Sequence, residues 1–172
     1  MKYSEGGSAP LPMPPPVLRR RSRRSNEPGA SREHRRRVNY SATLINHFRN
    51  PRNVGMMKDP DGVGEDEYGG CGDVVRFYLR IREGKVAEAR FQTYGCGPTI
   101  AAASVGSELA TGLTVERLLD LTAAEVEAAL DGLPEDRRHA AEVVSGALRA
   151  ATRDYLRRHG EPVGSGGGVQ HV

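Results

Sequence analysis

Tryptophan is absent from this chain, and tyrosine and phenylalanine bring the aromatic fraction to only 5%. No apolar run comes near the roughly 20 residues that span a bilayer, and the first residues contain no apolar core like that of a secretory signal. Cysteine occurs only twice, which is too few for a disulfide framework. These absences argue against a membrane protein and a disulfide-stapled secreted domain, so we expect a cytoplasmic protein.

Positive charge is concentrated in the first 37 residues. They contain ten lysines and arginines, three glutamates and six prolines, whereas the rest of the chain has 15 basic and 19 acidic residues. Such a segment has little apolar surface to bury, so we predict a disordered Pro/Arg-rich tail over residues 1–37. Nucleic-acid binding by the rest of the chain is not expected. The alternative to a disordered tail without a binding role is a tail that binds nucleic acid or anionic lipid by charge alone.

A helix and a loop open the domain that we predict over residues 38–160. The helix should begin near Asn39 or Ser41, either of which can cap it, and should end before Pro51. Residues 55–67 contain three glycines and are predicted to form a loop.

A β-hairpin is predicted next. The stretch DVVRFYLRI alternates between apolar and polar residues, and its apolar face contains Val75, Phe77, Leu79 and Ile81. After a turn at Gly84, the stretch VAEARFQTY alternates again. One of its faces is predicted to contain Ala87, Ala89, Phe91 and Thr93.

Helical patterns fill the rest of the domain. One helix should begin near Pro98 and stop at Gly112, and one or two short helices follow, each opened by a threonine. A long C-terminal helix then ends at Gly160. Residues 161–172 are rich in glycine and are predicted to be a flexible tail. A hairpin combined with helices makes this an α+β fold.

Glycines bracket both cysteines, in YGGCGD and YGCGP. Cys71 precedes the first strand of the hairpin and Cys96 follows the second, and these two ends of an antiparallel hairpin meet. The hairpin should therefore bring Cys71, Asp73 and Cys96 together. His139, near the start of the last helix, is the best candidate for a fourth ligand. Two thiolates suit zinc, copper(I) or an iron–sulfur cluster, and Asp73 adds a hard ligand.

Each of these residues also has a structural interpretation. Two lone cysteines are often just small buried side chains, and Asp73 can form a turn before a strand. His139 shares its helix with Arg137 and Arg138 and can equally lie on a solvated surface. Neither a catalytic Ser-His-Asp arrangement nor a glycine-rich phosphate loop stands out in the sequence, so we expect the protein not to be an enzyme.

Four segments together resemble the iron–sulfur cluster assembly scaffolds of the IscU and NifU N-terminal type. They are YSATLINHFRNPRNVG, CGD, ARFQTYGCGPTIAAAS, and LP followed by His139. The resemblance extends from about Tyr40 to Tyr155. It implies a small antiparallel sheet of about three strands, covered on one face by helices.

The resemblance also implies a function. Members of that family build a [2Fe–2S] cluster from iron, electrons and the sulfide supplied by a cysteine desulfurase, and then pass the cluster to apo-proteins. Carried over residue by residue, the ligand positions are Cys71, Asp73, Cys96 and His139. The implied partners are a cysteine desulfurase and apo iron–sulfur acceptor proteins, and we expect a monomer or homodimer.

Two positions depart from the family pattern. The family has a third cysteine directly after the histidine, which is a cluster ligand and commonly accepts persulfide sulfur, whereas this chain has Ala140. The chaperone-binding stretch LPPVK is LPEDR here, so a dedicated chaperone partner is not expected. The remaining donors also suit a tetrahedral zinc ion. A zinc-binding sulfur acceptor, or a regulator of a cysteine desulfurase, is therefore the alternative function.

Overall fold

The computed structural model describes residues 39–70 and 72–160, so the two predicted tails lie outside the described residues. The strands are Gly62–Tyr68 (β1), Asp73–Arg82 (β2) and Lys85–Tyr94 (β3). The helices are Ala42–Arg49 (α1), Gly97–Ala110 (α2), Val115–Leu119 (α3), Ala123–Ala129 (α4) and His139–His159 (α5), with a short 3-10 turn at Glu135–Arg137. Among the described residues, no helix combines the length and apolarity needed to cross a bilayer.

The three strands form one antiparallel sheet in the order β1-β2-β3, and helices cover one of its faces. Helix α5 packs on β1 and β2, and α2 packs on β3. Phe77, Leu79 and Phe91 are fully buried in the core, and burying each such side chain contributes about 1.5–3 kcal/mol. Arg76 and Arg90 are exposed on the other face. The predicted α+β fold, with its small sheet and long C-terminal helix, is confirmed.

The hairpin formed by β2 and β3 matches the prediction except at one position. The four apolar residues expected on the inner face of β2 are all buried. In β3, a β-bulge pairs Ile81 with Val86 and Arg80 with Glu88. Ala87 is therefore the extra residue of the bulge and is exposed, while Val86 occupies the core. The placement of Ala87 on the same face as Ala89 was wrong because periodicity alone does not locate a bulge.

Residues 62–67, predicted as the last part of the loop at residues 55–67, all belong to strand β1 instead. The sequence GVGEDEY lacks an apolar alternation because α5 lies directly against its two glycines. A Cβ atom added at Gly64 would lie 2.0 Å from the backbone nitrogen of Ala151, and one added at Gly62 would lie 2.4 Å from the carbonyl oxygen of Ala151. Glycine thus occupies the inward-facing positions at which a strand normally shows apolar side chains.

A polar network attaches the segment after α1 to α2. The Arg52 guanidinium donates to Nδ1 of His47 at 2.8 Å, and Oγ of Ser104 lies 2.8 Å from the same nitrogen. Because arginine can only donate, Nδ1 is the acceptor and the ring carries its proton on Nε2, which faces Glu108 at 3.7 Å. Burial, followed by the positive charge of Arg52, lowers the pKa of His47 despite the opposing effect of Glu108.

Replacing Gly64 with alanine should destabilise the protein. The new methyl group would collide with the backbone of α5, which cannot rotate away as a side chain can. We expect the free energy of unfolding, measured by urea denaturation, to fall by about 2 kcal/mol or more. Gly69→Ala is the control, because a Cβ atom there meets nothing within 4 Å, and it should change stability by no more than about 0.5 kcal/mol. Equal effects of the two substitutions would contradict the close packing of α5 on β1.

The lowered pKa of His47 predicts a loss of stability in mild acid. Below the ordinary histidine pKa of 6.5, the unfolded state takes up a proton at His47 that the folded state resists. Stability should therefore decrease as the pH falls below that value, by at most about 1.4 kcal/mol per pH unit. His47→Gln removes the titrating ring and should flatten this part of the curve. Parallel pH curves for the wild type and His47→Gln would contradict the prediction.

Candidate metal centre

The candidate centre lies where β2 begins, β3 ends, and helices α2 and α5 start. Pairing of Val74 with Tyr94 places the start of β2 beside the end of β3. Cys96 is the N-cap residue of α2, and His139 is the first residue of α5. Three segments that are distant in the sequence therefore converge on Asp73, the first residue of β2.

The carboxylate of Asp73 is the common partner of the surrounding polar groups. Its Oδ1 accepts a hydrogen bond from the backbone N–H of Cys96 at 3.2 Å. Its Oδ2 accepts from the Thr99 hydroxyl at 2.5 Å, and lies 3.2 Å from Nε2 of His139 and 3.6 Å from Sγ of Cys96. Only 2% of Asp73 is exposed. Both oxygens of this buried group are therefore satisfied, as a buried carboxylate requires.

These hydrogen bonds determine the charge of Asp73. Burial has the largest single effect on the pKa of the Asp73 carboxyl and raises it. Hydrogen bonds from Thr99, from the Cys96 backbone, from His139 and from the Cys96 thiol act in the opposite direction, and the net result is a lowered pKa. Asp73 is therefore ionised near neutral pH and supplies a buried negative charge.

The arrangement offers a compact set of three donor atoms. One sulfur, oxygen or nitrogen atom from each of Cys96, Asp73 and His139 lies within 4.8 Å of the others. Asp73 and His139 are buried, whereas Cys96 is half-buried. A thiol, a carboxylate and an imidazole are a donor set that fits zinc and that also fits iron. Solvent can thus reach the centre at Cys96, whereas Asp73 and His139 are shielded from it.

Tyr68 orients the imidazole of His139. The two rings stack with their centroids 4.4 Å apart and their planes 16° from parallel. Tyr68 ends β1, directly opposite Asp73 in the sheet register. A Cβ atom added at Gly70 would lie 2.8 Å from the Tyr68 ring, so the glycine leaves room for the stack.

The structure brings together three of the four residues predicted as ligands: Asp73, Cys96 and His139. Cys71 lies outside the described residues, and its place in the centre stays a prediction based on its position two residues before Asp73. His139 is only 8% exposed, which overturns the alternative of a solvated surface histidine.

Sequence reasoning missed two residues at the centre. Thr99 follows Cys96 by three positions, so the helical spacing could have placed the two side chains on the same side of α2. The stacking of Tyr68 had no comparable signal, since β1 was not recognised as a strand.

The chain is similar to known proteins over its described residues. Residues 39–162 match the family model described as NifU-like N terminal domain. The chain is 40% identical over 122 residues to the "Iron-sulfur cluster assembly scaffold protein IscU 1" of Archaeoglobus fulgidus, which covers 71% of this chain and 80% of that protein. It is 38% identical over 125 residues to the "Iron-sulfur cluster assembly scaffold protein IscU" of Azotobacter vinelandii, which covers 70% of this chain and 97% of that protein.

A solved structure supports the fold. The crystal structure of a NifU-like protein (N-terminal) from Brucella abortus superposes with a TM-score of 0.56 at 20% identity, over 69% of this chain and 94% of that one. At this identity the similarity concerns the fold alone, whereas the family match covers all of the described residues. The chain therefore belongs to the family of NifU-like N-terminal domains.

Proposed function

We propose that this chain is a scaffold on which a [2Fe–2S] cluster is assembled and from which it is transferred to apo-proteins. The observation that carries the proposal is the convergence of Asp73, Cys96 and His139 within 4.8 Å in a member of the NifU-like family. The relatives named as iron–sulfur cluster assembly scaffolds support the same function. The chain acts as a scaffold rather than as an enzyme, and the cluster is its cargo.

The proposed ligands are Cys71, Asp73, Cys96 and His139. Histidine ligates iron beside cysteine in some two-iron clusters, so this mixed set is chemically adequate. The half-buried position of Cys96 suits a cargo that must leave, because a fully enclosed cluster would need the fold to open. Sulfide would come from a cysteine desulfurase, and the cluster would go to apo iron–sulfur proteins.

A zinc-binding sulfur acceptor or desulfurase regulator is the second candidate. The observation in its favour is the short separation of the three donor atoms, which is small enough for a single tetrahedral ion. With the thiolate of Cys71 as a fourth donor, the same residues would form a zinc site. The two functions therefore share their ligands and differ in the metal that the protein holds.

Metal analysis distinguishes the two functions. Protein purified without oxygen and reconstituted with iron and sulfide should contain iron and acid-labile sulfide in equal amounts if it is a scaffold; zinc without sulfide would support the second candidate instead. Cys96→Ser should lose most of the bound metal in either case, because a hydroxyl is a poor replacement for a soft thiolate ligand. The exposed His159 serves as the control, and His159→Ala should bind as wild type does. Equal metal content in wild type and Cys96→Ser would contradict the site.

Because position 140 is an alanine, we expect the cluster to be more labile than in family members that have a cysteine there. Ala140 follows His139 at the start of α5 and is completely buried, and its methyl group can neither bind iron nor accept sulfur. Ala140→Cys should therefore lengthen the lifetime of the reconstituted cluster, followed by visible absorbance. It should also form a persulfide at position 140 when a cysteine desulfurase and cysteine are supplied, which alkylation and mass spectrometry detect.

The same variant tests the direction of this side chain. If Ala140 faces the centre, the added sulfur occupies the centre and the melting temperature changes little. If it faces only the apolar core, the added sulfur overpacks the core at a cost of about 1–3 kcal/mol. Unchanged cluster decay with no persulfide and a lowered melting temperature would therefore refute the carry-over from the family at this position.

A further inference from the structure

Thr99 has a buried hydroxyl that bonds to the candidate centre instead of to its own helix. It is completely buried in the first turn of α2. Its hydroxyl donates to Oδ2 of Asp73 at 2.5 Å and lies 3.3 Å from Sγ of Cys96. It therefore contacts two of the proposed ligands at once.

A second buried threonine shows what this side chain does elsewhere in the fold. Thr152, in α5, is also completely buried. Its hydroxyl donates to the carbonyl oxygen of Leu148, one turn earlier in the same helix, at 2.8 Å. This is the usual local bond of a threonine within a helix. Thr99 instead reaches a carboxylate on β2, 26 positions away in the chain.

We propose that Thr99 is a positioning residue, which orients the Asp73 carboxylate, beside the Cys96 sulfur, toward the metal or cluster that the scaffold holds. This inference rests on the proposed function. Rotation of an aspartate carboxylate about its last torsion is only weakly restricted by the side chain itself. The backbone N–H of Cys96 restrains Oδ1, and the Thr99 hydroxyl restrains Oδ2. The other two partners of Oδ2, Nε2 of His139 and Sγ of Cys96, are themselves proposed ligands, so Thr99 is the partner that can still hold Oδ2 when they bind metal. Two restraints on the two oxygens define the plane of the group.

The hydroxyl is well suited to this task on chemical grounds. It donates to a carboxylate or to a thiolate without ionising itself, so it keeps its role when Cys96 and His139 give up protons to a metal. Hydrogen-bond partners that orient metal ligands in this way commonly account for 10–100-fold in metal affinity.

The test compares substitutions that separate the hydroxyl from the volume of the side chain. Thr99→Ser and Thr99→Ala both lack the methyl group and differ only in the hydroxyl, while Thr99→Val keeps the volume and loses the hydroxyl. Thr152→Val is the matched control for loss of a buried helix hydroxyl away from the centre. Each full-length protein is titrated with Co²⁺ without oxygen, and the sulfur-to-cobalt charge-transfer band is recorded together with the melting temperature of the metal-free protein.

We expect Thr99→Ala and Thr99→Val to raise the Kd for Co²⁺ by about 10–100-fold. Their charge-transfer band should also shift, because the sulfur has lost the polar hydroxyl 3.3 Å away and the neighbouring Asp73 carboxylate is no longer held in place. Thr99→Ser should stay close to wild type in both respects, and Thr152→Val should match wild type whatever its melting temperature. If Thr99→Val does not fold, the pair of serine and alanine variants decides alone.

Each other outcome has a definite meaning. Equal Kd values and equal bands in Thr99→Ser and Thr99→Ala would overturn the role of the hydroxyl and leave the proposed function intact. An equal weakening by Thr152→Val would show a general effect of stability and would also overturn it. If the wild-type protein gives no sulfur-to-cobalt band, the metal does not bind at the candidate centre. That result would overturn both the proposed function and this inference.

Discussion

The buried carboxylate of Asp73 is the constraint around which the centre is built. A carboxylate removed from water costs several kcal/mol unless hydrogen-bond donors replace the solvent. Here the donors come from the backbone and side chain of Cys96, from Thr99 and from His139, so the starts of α2 and α5 must both lie against the start of β2. The hydrogen bonds to the Asp73 carboxylate thus bring the Cys96 thiol and the His139 imidazole together, as a metal site needs.

The position of His139 depends on packing far from the centre. Helix α5 lies against β1 because Gly62 and Gly64 have no side chains to hold it away. That close approach aligns the helix so that its first residue reaches Asp73. Tyr68, at the end of the same strand, then stacks on the His139 ring. The glycines of β1 therefore help to place the candidate ligand His139 beside Asp73.

The sequence predicts the elements with strong local signals and misses those that depend on contacts between elements. Alternation identifies β2, and the two ends of the hairpin bring Asp73 close to Cys96. Strand β1 was not predicted because its inward positions are glycines. Those positions are glycines because α5 packs directly against the strand and leaves no room for a side chain. The contact of His139 with Asp73 spans 66 positions in the chain, and no spacing rule predicts it; His139 was expected at the centre only as the best remaining ligand candidate and through the resemblance to a family. The bulge at Ala87 arises likewise from strand pairing.

X-ray absorption spectroscopy of the zinc-loaded protein tests the central claim most directly. A single zinc ion reports the protein ligands without the bridging sulfides that a cluster would add. If Cys71, Asp73, Cys96 and His139 hold the metal, the spectrum should show two sulfur atoms at about 2.3 Å and two nitrogen or oxygen atoms at about 2.0–2.2 Å. A coordination shell without sulfur would contradict the account, because it would place the metal away from both cysteines.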